Sequence, residues 1–233
     1  MNLLWQTLLE NWSDVLTALG QHIYLSLIAI LAACIVSIPL GIFLARHKRI
    51  AGPVISVVAV IQTIPSLALL GFMIPVFGIG TLPALIALGL YALLPILRNT
   101  YTGICEVDRA MLEAGVGMGM TKWQILWHVE LPMSRNVILA GVRTAMVWTI
   151  GTATLATFIG AGGLGDIIMR GIDMINTPMI LVGAIPAALL ALVFDGALIL
   201  LDKALTPKGL RKSLQKKNHQ VKDTVSGGNI VEA

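Results

Sequence analysis

The sequence predicts an all-α integral membrane protein that crosses the bilayer five times, with its N-terminus outside and its C-terminus in the cytoplasm. Hydrophobic residues make up 57% of the 233 residues and charged residues only 12%. Soluble domains carry about 25% charged residues, and a mean hydropathy of +0.87 is too high for a domain surrounded by water. The third observation is the way that basic residues alternate along the chain.

Five apolar segments approach or exceed the length needed to span a bilayer, which is about 20 residues. They cover residues 22–45, 53–77, 82–97, 137–159 and 178–201. Pro65 and Pro75 interrupt the second segment, and Pro83 and Pro95 lie in the third. Because neighbouring helices can satisfy the backbone groups that proline frees, these prolines predict kinks within the spans.

Lysine and arginine are concentrated in alternate connections, which sets the orientation because cytoplasmic loops are enriched in both. One group follows the first segment, one lies between the third and fourth, and one follows the fifth: Arg46, Lys48 and Arg49; Arg98, Arg109, Lys122 and Arg135; and Lys203, Lys208, Arg211, Lys212, Lys216, Lys217 and Lys222. Arg170 falls on the opposite side, and Arg143 lies inside the fourth segment. These three connections are therefore expected to face the cytoplasm.

Three regions follow from this topology. Residues 1–20 carry apolar side chains at helical spacing opposite polar ones, which predicts an amphipathic helix on the outer face of the lipid bilayer. The alternative is that they extend the first span. Residues 21–202 form the transmembrane domain, with its longest cytoplasmic loop at 98–135, and the basic residues 203–233 predict a flexible cytoplasmic tail.

The loop at 98–135 is unlike its surroundings, because it turns glycine-rich and then charged and aromatic. It predicts two short helices, over about 106–114 and 122–131. The turn between them contains residues that readily adopt positive φ: Gly115, Gly117 and Gly119. Thr121 and Gln124 match a capping box at the start of the second helix.

The second of these helices carries an apolar face formed by Trp123, Leu126 and Trp127, and Pro132 is expected to end it. Such a face is too apolar to be left in water and needs a partner. A phosphate loop is excluded, since the sequence holds no G-x-x-x-x-G-K-[ST] run. Nucleic acid is not an expected partner either, because a loop anchored to the membrane at both ends cannot easily enter a groove. Packing on the chain's own spans is left open.

Residues 113–132, EAGVGMGMTKWQILWHVELP, resemble the EAA loop of ABC importer permeases, which reads E-A-A, three residues, glycine, nine residues, I-x-L-P. The matching positions are Glu113, Ala114 and Gly115 in the triplet, Gly119 at the spaced glycine, and Val129, Leu131 and Pro132 at the end. The departures are Gly115 in place of alanine and Val129 in place of isoleucine, and both are mild.

This resemblance implies the fold of a type I ABC importer permease, in which the loop is the coupling helix that docks on a separate cytoplasmic ATPase. It implies that Glu113 and its helix contact the ATPase and that Gly119 permits the turn. We expect Trp123, Leu126 and Trp127 to add apolar docking surface. The implied partners are two ATPase subunits, a second permease chain, identical or similar, and an extracytoplasmic substrate-binding protein, at the cytoplasmic membrane of a bacterium.

Two further segments resemble one branch of that family. Residues 61–80, IQTIPSLALLGFMIPVFGIG, look like the second-span signature of osmoprotectant permeases, and residues 160–171, GAGGLGDIIMRG, are similar to a loop of this branch and of amino-acid permeases. The resemblance implies glycine betaine, carnitine or choline as cargo. Methionine or another amino acid is the alternative cargo, and an ion-gradient-driven transporter or channel is the alternative class.

Polar and aromatic residues inside the spans are candidates for the translocation pathway. Gln62, Thr63 and Ser66 flank Pro65 and either line the pathway or satisfy backbone groups that the proline frees. Trp148 offers an aromatic face to a quaternary ammonium, which has no N–H to donate and is held by cation–π attraction. Simple packing is the alternative role for Trp148.

Arg143 and Asp195 are charges set deep in the fourth and fifth predicted spans, each about seven residues, or roughly 10 Å of helix, from its cytoplasmic end. A charge at the bilayer centre costs about 2.5–3.5 kcal/mol on insertion scales and usually finds a partner. We therefore expect the two to form a buried ion pair near an inner gate. The alternative is that Arg143 reaches the head groups while Asp195 faces a wet cavity.

Neither metal binding nor catalysis is indicated. The two cysteines and four histidines lack metal-ligand spacing, so no metal site is expected. The spans contain no serine–histidine or paired-aspartate arrangement, and the sequence has no nucleotide-binding motif. We expect a chain that is not an enzyme, holds no cofactor and depends on a separate ATPase.

Overall fold

The computed structural model describes residues 2–205, and within that range the secondary structure is entirely helical. The helices are α1 (Asn2–Glu10), α2 (Trp12–Arg46), α3 (Lys48–Thr63), α4 (Ser66–Phe77), α5 (Thr81–Cys105), α6 (Arg109–Gly117), α7 (Lys122–Ile125), α8 (Leu131–Ala153), α9 (Leu164–Asp173) and α10 (Thr177–Leu205). A π turn (Leu126–Glu130) joins α7 to α8, and a 3₁₀ segment (Thr154–Ile159) follows α8. The predicted all-α class is confirmed.

The chain divides into two packing units, Met1–Asp195 and Gly196–Ala233. The helix packing described below belongs to the first unit. In the second unit, the described residues are the last turns of α10. The predicted flexible tail at 203–233 lies outside the described residues from position 206 onward.

Among the described residues, four helical stretches are long and apolar enough to cross a bilayer, and the α3–α4 pair makes a fifth if it counts as one span. The four are α2, α5, the stretch Lys122–Ile159 and α10. All four contain predicted apolar segments. The helices extend beyond these segments because polar residues at a helix end continue the backbone hydrogen bonding without being apolar themselves.

The predicted second span differs from a kinked helix, because α3 and α4 meet at 96°. Proline restricts the residue before it to extended backbone, and Ile64, before Pro65, has φ −65° and ψ 129°. The Tyr91 hydroxyl of α5 donates a hydrogen bond to the Ile64 carbonyl. Pro65 was predicted to kink one continuous helix, but the helix ends there and a new one begins. This is possible because Tyr91 of α5 bonds the Ile64 carbonyl. Pro75 lies within α4 and causes no break.

The N-terminal region divides at Asn11 and not near residue 20. Residues 12–20 are the first turns of α2, so their helix continues directly into the first long span. Val15 and Ala18 are buried in a cluster with residues of α9 and α10: Leu164, Ile167, Met179, Val182 and Ala187. This geometry corresponds to the alternative for residues 12–20, in which they extend the first span, and leaves α1 as a separate short helix.

Glycine allows α5 to pack closely along both α2 and α8. A Cβ added to Gly41 of α2 would lie 2.7 Å from Thr100 Cβ of α5. A Cβ added to Gly141 of α8 would lie 2.7 Å from the Pro95 carbonyl oxygen of α5. Small residues are typical of helix contacts in membranes, where close approach of the backbones provides the attraction that the hydrophobic effect provides in water.

We expect Gly141→Ala to lower the thermal unfolding midpoint of the purified protein in detergent, because the new Cβ must displace the Pro95 carbonyl or the Asn99 side chain. Overpacking of this kind costs about 1–3 kcal/mol. Gly151→Ala is the matched control on the same helix, where a Cβ meets nothing within 4 Å and alanine is the better helix former. Equal midpoints for the two variants would contradict the close α5–α8 contact.

Candidate coupling surface and pathway residues

The segment with the EAA-like pattern begins with α6. This helix starts at Arg109 and not at Glu106, because the Asp108 carboxylate accepts a hydrogen bond from the Ala110 amide over 2.9 Å. Such a cap satisfies one of the amides that a helix leaves free at its start. Glu113 and Ala114 are both exposed on α6.

A sharp turn at Gly119 leads out of α6. Gly119 has a φ of +78°, which residues with a Cβ rarely adopt. Gly115 and Gly117 belong to α6, so the prediction that they form part of the turn is wrong. Gly115 is buried, and a Cβ there would lie 3.4 Å from Met120 Sδ and 3.5 Å from Ile125 Cγ1. The departure from alanine at position 115 thus falls where α6 meets α7.

The capping box predicted at Thr121 and Gln124 is confirmed. Thr121 Oγ1 accepts a hydrogen bond from the Gln124 amide over 3.3 Å. Gln124 Oε1 accepts one from the Thr121 amide over 2.7 Å. The two residues therefore hold the start of α7 in place after the turn.

Pro132 was predicted to end the helix that follows, and this prediction is wrong because the helix runs through Pro132. In the π turn the Leu131 amide donates to the Leu126 carbonyl, five residues back. α8 begins at Leu131 and has Pro132 as its second residue. Proline is tolerated in a first helical turn, and a π turn shifts the hydrogen-bond register where proline lacks a donor. The prediction failed because a local widening of the helix is not visible in the sequence.

Trp123 and Trp127 form an exposed aromatic pair on this segment. Their ring centroids are 6.4 Å apart and the rings are stacked. The two side chains are 68% and 61% exposed. They also line an apolar cavity of about 740 Å³, which is bounded on the α2 side by Ile38, Pro39 and Phe43. The pair is thus available to a partner, as its predicted role requires.

Leu126 does not share that exposure. It is 7% exposed and packs with Ala45 of α2 and Ile104 of α5, beside the half-buried Leu131. The prediction that Leu126 adds docking surface is therefore wrong, because its side chain points into the protein. Pro132, by contrast, is exposed.

Three further apolar side chains on α6 and its turn are exposed, and no predicted role included them. Val116 and Met118 are 64% and 74% exposed, and Met111 is 43% exposed. Met111 and Met118 are spaced by two helical turns, which places them on one face. That spacing, in a segment otherwise polar or glycine-rich, is the signal that identifies them.

Arg143 of α8 and Asp195 of α10, which were predicted to pair, lie side by side. Arg143 Nε donates to Asp195 Oδ1 over 2.9 Å, and Nη2 donates to Oδ2 over 3.2 Å. The side chains are 34% and 31% exposed. They border a cavity of about 400 Å³ that Thr144 and Trp148 also line. The two-point geometry fixes one helix against the other, while the cavity matches part of the alternative, in which Asp195 faces open space.

The other candidate pathway residues lie at the α3–α4 bend. Gln62 Nε2 donates to the Tyr91 carbonyl over 3.3 Å, and Thr63 Oγ1 donates to the Val60 carbonyl over 2.7 Å. Ser66 is the first residue of α4. Gln62 and Thr63 thus bond backbone carbonyls, but the Tyr91 carbonyl belongs to α5 and is not a group that Pro65 frees, so these contacts do not decide between the two alternatives. Trp148 is 60% exposed and lies with the ion pair, in a cavity whose lining does not include the residues of the bend.

The segment at residues 160–171 packs back on the beginning of α2. The Gly163 amide donates to Gln21 Oε1 over 3.0 Å. A Cβ on Gly165 would clash with the Thr154 carbonyl oxygen. The glycines therefore allow the segment to lie directly against α2 and the 3₁₀ segment.

Residues 37–208 match the family described as "Binding-protein-dependent transport system inner membrane component". The chain belongs to this family. The match confirms the importer-permease family that the pattern at 113–132 predicted.

This permease is similar to named relatives along nearly its whole length. It is 51% identical to the carnitine transport permease protein OpuCB of Listeria monocytogenes, over 88% of this chain and 94% of that protein. It is 47% identical to the glycine betaine/carnitine/choline transport system permease protein OpuCB of Bacillus subtilis (strain 168), over 91% of this chain and 97% of that protein. The osmoprotectant branch of the family, which residues 61–80 predicted, is thereby confirmed.

Among solved structures, the permease resembles the MetNI methionine ABC transporter in its inward-facing conformations. The TM-score is 0.76 at 21% sequence identity, and the likeness covers 85% of this chain and 99% of that one. At this identity the likeness concerns the fold alone. The fold is that of an ABC importer permease, as predicted.

We expect Arg143→Asp and Asp195→Arg, each made singly, to lower the yield of permease in membranes and its thermal unfolding midpoint. Each variant sets two like charges against one another, which costs about 1–2 kcal/mol at a site that is one-third exposed. The double variant Arg143→Asp/Asp195→Arg restores opposite charges and is expected to recover both measurements. A double variant as impaired as the worse single one would count against the pairing.

Proposed function

We propose that this chain is the permease subunit of an ATP-driven ABC importer, and that its cargo is a quaternary-ammonium osmoprotectant such as glycine betaine, carnitine or choline. The observation that carries the cargo is the identity of 51% and 47% to relatives named for these compounds. Methionine is the weaker candidate, since the likeness to the MetNI structure is 21% identical and concerns the fold. The sequence has no nucleotide-binding motif, so ATP hydrolysis is assigned to a separate subunit.

In this proposal the permease crosses the bacterial cytoplasmic membrane five times, and the α3–α4 pair is the second crossing. The N-terminus lies outside and the C-terminus inside. The basic cluster that follows α2, the basic residues between α5 and α8, and Lys203 near the end of α10 support this orientation. A cytoplasmic ATPase reaches α6 only in this orientation, so the docking experiment below bears on both.

The docking surface for the ATPase is formed by α6, the Gly119 turn and the aromatic pair. The exposed residues assigned to docking are Met111, Glu113, Ala114, Val116, Met118, Trp123 and Trp127. Large apolar side chains exposed together on one short segment are unfavourable in water and support a binding surface. Gly115, Leu131 and Pro132 shape the segment from within or at its end. Two ATPase subunits, a second permease chain and an extracytoplasmic binding protein complete the importer.

The translocation pathway is assigned to the α3–α4 bend and to the cavity beside the ion pair. Gln62, Thr63 and Ser66 provide polar groups at the bend, although two of them also serve backbone carbonyls. Trp148 provides an aromatic face for a cation, next to the cavity. A transit site needs only weak attraction, because tight binding along the pathway slows release, and the binding protein provides affinity.

The cargo assignment is tested by uptake in a bacterial strain that lacks osmoprotectant transport. The chain is expressed with its ATPase, partner permease and binding protein, and uptake of labelled glycine betaine, carnitine, choline and methionine is measured. We expect uptake of at least one quaternary amine that stops when ATP is depleted, and no uptake of methionine. Uptake by the permease alone, or of methionine only, would refute the proposal.

The docking surface is tested with Met118→Asp, which places a charge on a side chain that is 74% exposed. We expect the ATPase to bind this variant about thirtyfold more weakly, which corresponds to the loss of about 2 kcal/mol at an interface hot spot, as measured by copurification and by binding titration in detergent. Met174→Asp is the matched control, since Met174 is 67% exposed and lies beyond the far end of α8. Unchanged ATPase binding by Met118→Asp, or equal loss in both variants, would contradict the assignment.

A further inference from the structure

The coupling segment, which we define as residues 109–130 from α6 to the end of the π turn, is tied to α2 by an ion pair. Neither the family pattern nor the relatives' names assign this pair. Arg46 is the last residue of α2, and Glu130 is the last residue of the π turn. Arg46 Nη2 lies 2.5 Å from Glu130 Oε2. The Glu130 side chain is 3% exposed and that of Arg46 is 43% exposed.

The surroundings of Glu130 make this contact difficult to break. A cluster of Ala45, Ile104 and Leu126 fills the junction between α2, α5 and the π turn. A carboxylate left in such a place without its partner is strongly unfavourable, because neither water nor apolar side chains replace the lost interaction. Arg46 is also favourably placed at a helix C-terminus, where the helix dipole attracts a positive charge. The coupling segment and the end of α2 are therefore held as one body.

At its other end α2 reaches the segment at residues 160–171. Gln21 Oε1 accepts a hydrogen bond from the Gly163 amide over 3.0 Å, and His22 Nε2 lies 3.0 Å from the Ile150 carbonyl oxygen. From Gln21 to Arg46 a helix extends roughly 37 Å at about 1.5 Å per residue. α2 thus connects the coupling segment with the opposite end of the permease.

We propose that the Arg46–Glu130 pair is the positioning contact through which movement of the coupling segment is passed to α2. This inference rests on the proposed function, in which an ATPase moves that segment. Neither residue lies on α6 or the Gly119 turn, although Arg46 borders the cavity that Trp123 and Trp127 line. ATPase binding by Arg46→Gln is therefore measured alongside transport, and we expect it to be unchanged. Passing the movement onward requires both residues. Removal of either partner then leaves ATP hydrolysis in place but reduces the amount of cargo carried for each ATP.

The test uses the complete importer, with ATPase, partner permease and binding protein, reconstituted in lipid vesicles. Uptake of labelled cargo and hydrolysis of ATP are measured in the same vesicles, for wild type, Arg46→Gln, Glu130→Gln and the double variant. Arg46→Lys keeps the charge and serves as the conservative variant. Arg49→Gln and Glu106→Gln are matched controls, because they remove the same charges from exposed side chains.

We expect each single variant to lower cargo carried per ATP by about threefold to tenfold, which lies within the range of coupling losses from single substitutions. The double variant should be no worse than the worse single one, because the two residues act as one contact. Arg46→Lys should recover at least half of the wild-type ratio. Both controls should keep the wild-type ratio.

The inference is overturned if Arg46→Gln keeps the wild-type ratio, or if the losses of the two single variants add in the double one. If the Glu130→Gln importer does not assemble, the proposal is tested with Arg46→Gln and Arg46→Lys, because Arg46 is the more exposed residue of the pair. A failure of the proposed function is distinguishable, because wild type itself would then show no ATP-driven uptake. Normal wild-type transport with unaffected variants would reject the ion-pair role alone.

Discussion

Backbone polar groups at membrane depth must find partners within the protein, and this constraint helps to explain where the helices break and where they continue. Water is absent from the hydrocarbon, so each unpaired backbone group there costs several kcal/mol. The helix breaks at Ile64, where the Tyr91 hydroxyl of α5 satisfies the freed carbonyl. It continues through Pro39 in α2, Pro95 in α5 and Pro186 in α10. At Pro65 the helix thus ends where a neighbouring helix supplies a hydrogen bond to the backbone.

The same constraint separates what the sequence predicts from what it does not. The apolar segments, the Thr121 capping box and the family pattern depend on residues close together in the chain, and each was predictable. The α3–α4 bend depends on Tyr91, 27 positions from Ile64, and the Arg46 contact joins residues 84 positions apart. Arg143 and Asp195 were found despite a separation of 52, because charges inside spans are few and seek one another. A contact between residues far apart in the chain can thus be predicted when so few charged residues lie in the spans that each has one available partner.

The coupling segment has an exposed face and a buried face. The sequence predicted the exposed apolar face but not the buried one. Apolar residues recur along it, but the pattern alone does not tell which of them are covered. Leu126 faces inward to Ala45, whereas Trp123 and Trp127 face outward. A regular helical projection places Leu126 with Trp123 and Trp127 at a spacing of three and four residues, but it does not show that Ala45 of α2 and Ile104 of α5 cover Leu126. The buried face holds the segment on the spans, and the exposed face is the one that we propose to meet the ATPase.

The position of the buried contact at the very end of α2 has a physical consequence. Pro39 leaves this helix without one backbone hydrogen bond, which makes the turn around it the easiest place to bend. Just there, Ser37 Oγ donates to the Leu93 carbonyl over 3.2 Å, and Gly41 lies directly against Thr100. α5 therefore supports α2 at its weakest turn. The short arm of α2 that follows Pro39 ends at Arg46, whose guanidinium pairs with Glu130. In the proposed coupling, we therefore expect a force on that arm to displace α2 as a whole in preference to folding its last turns aside.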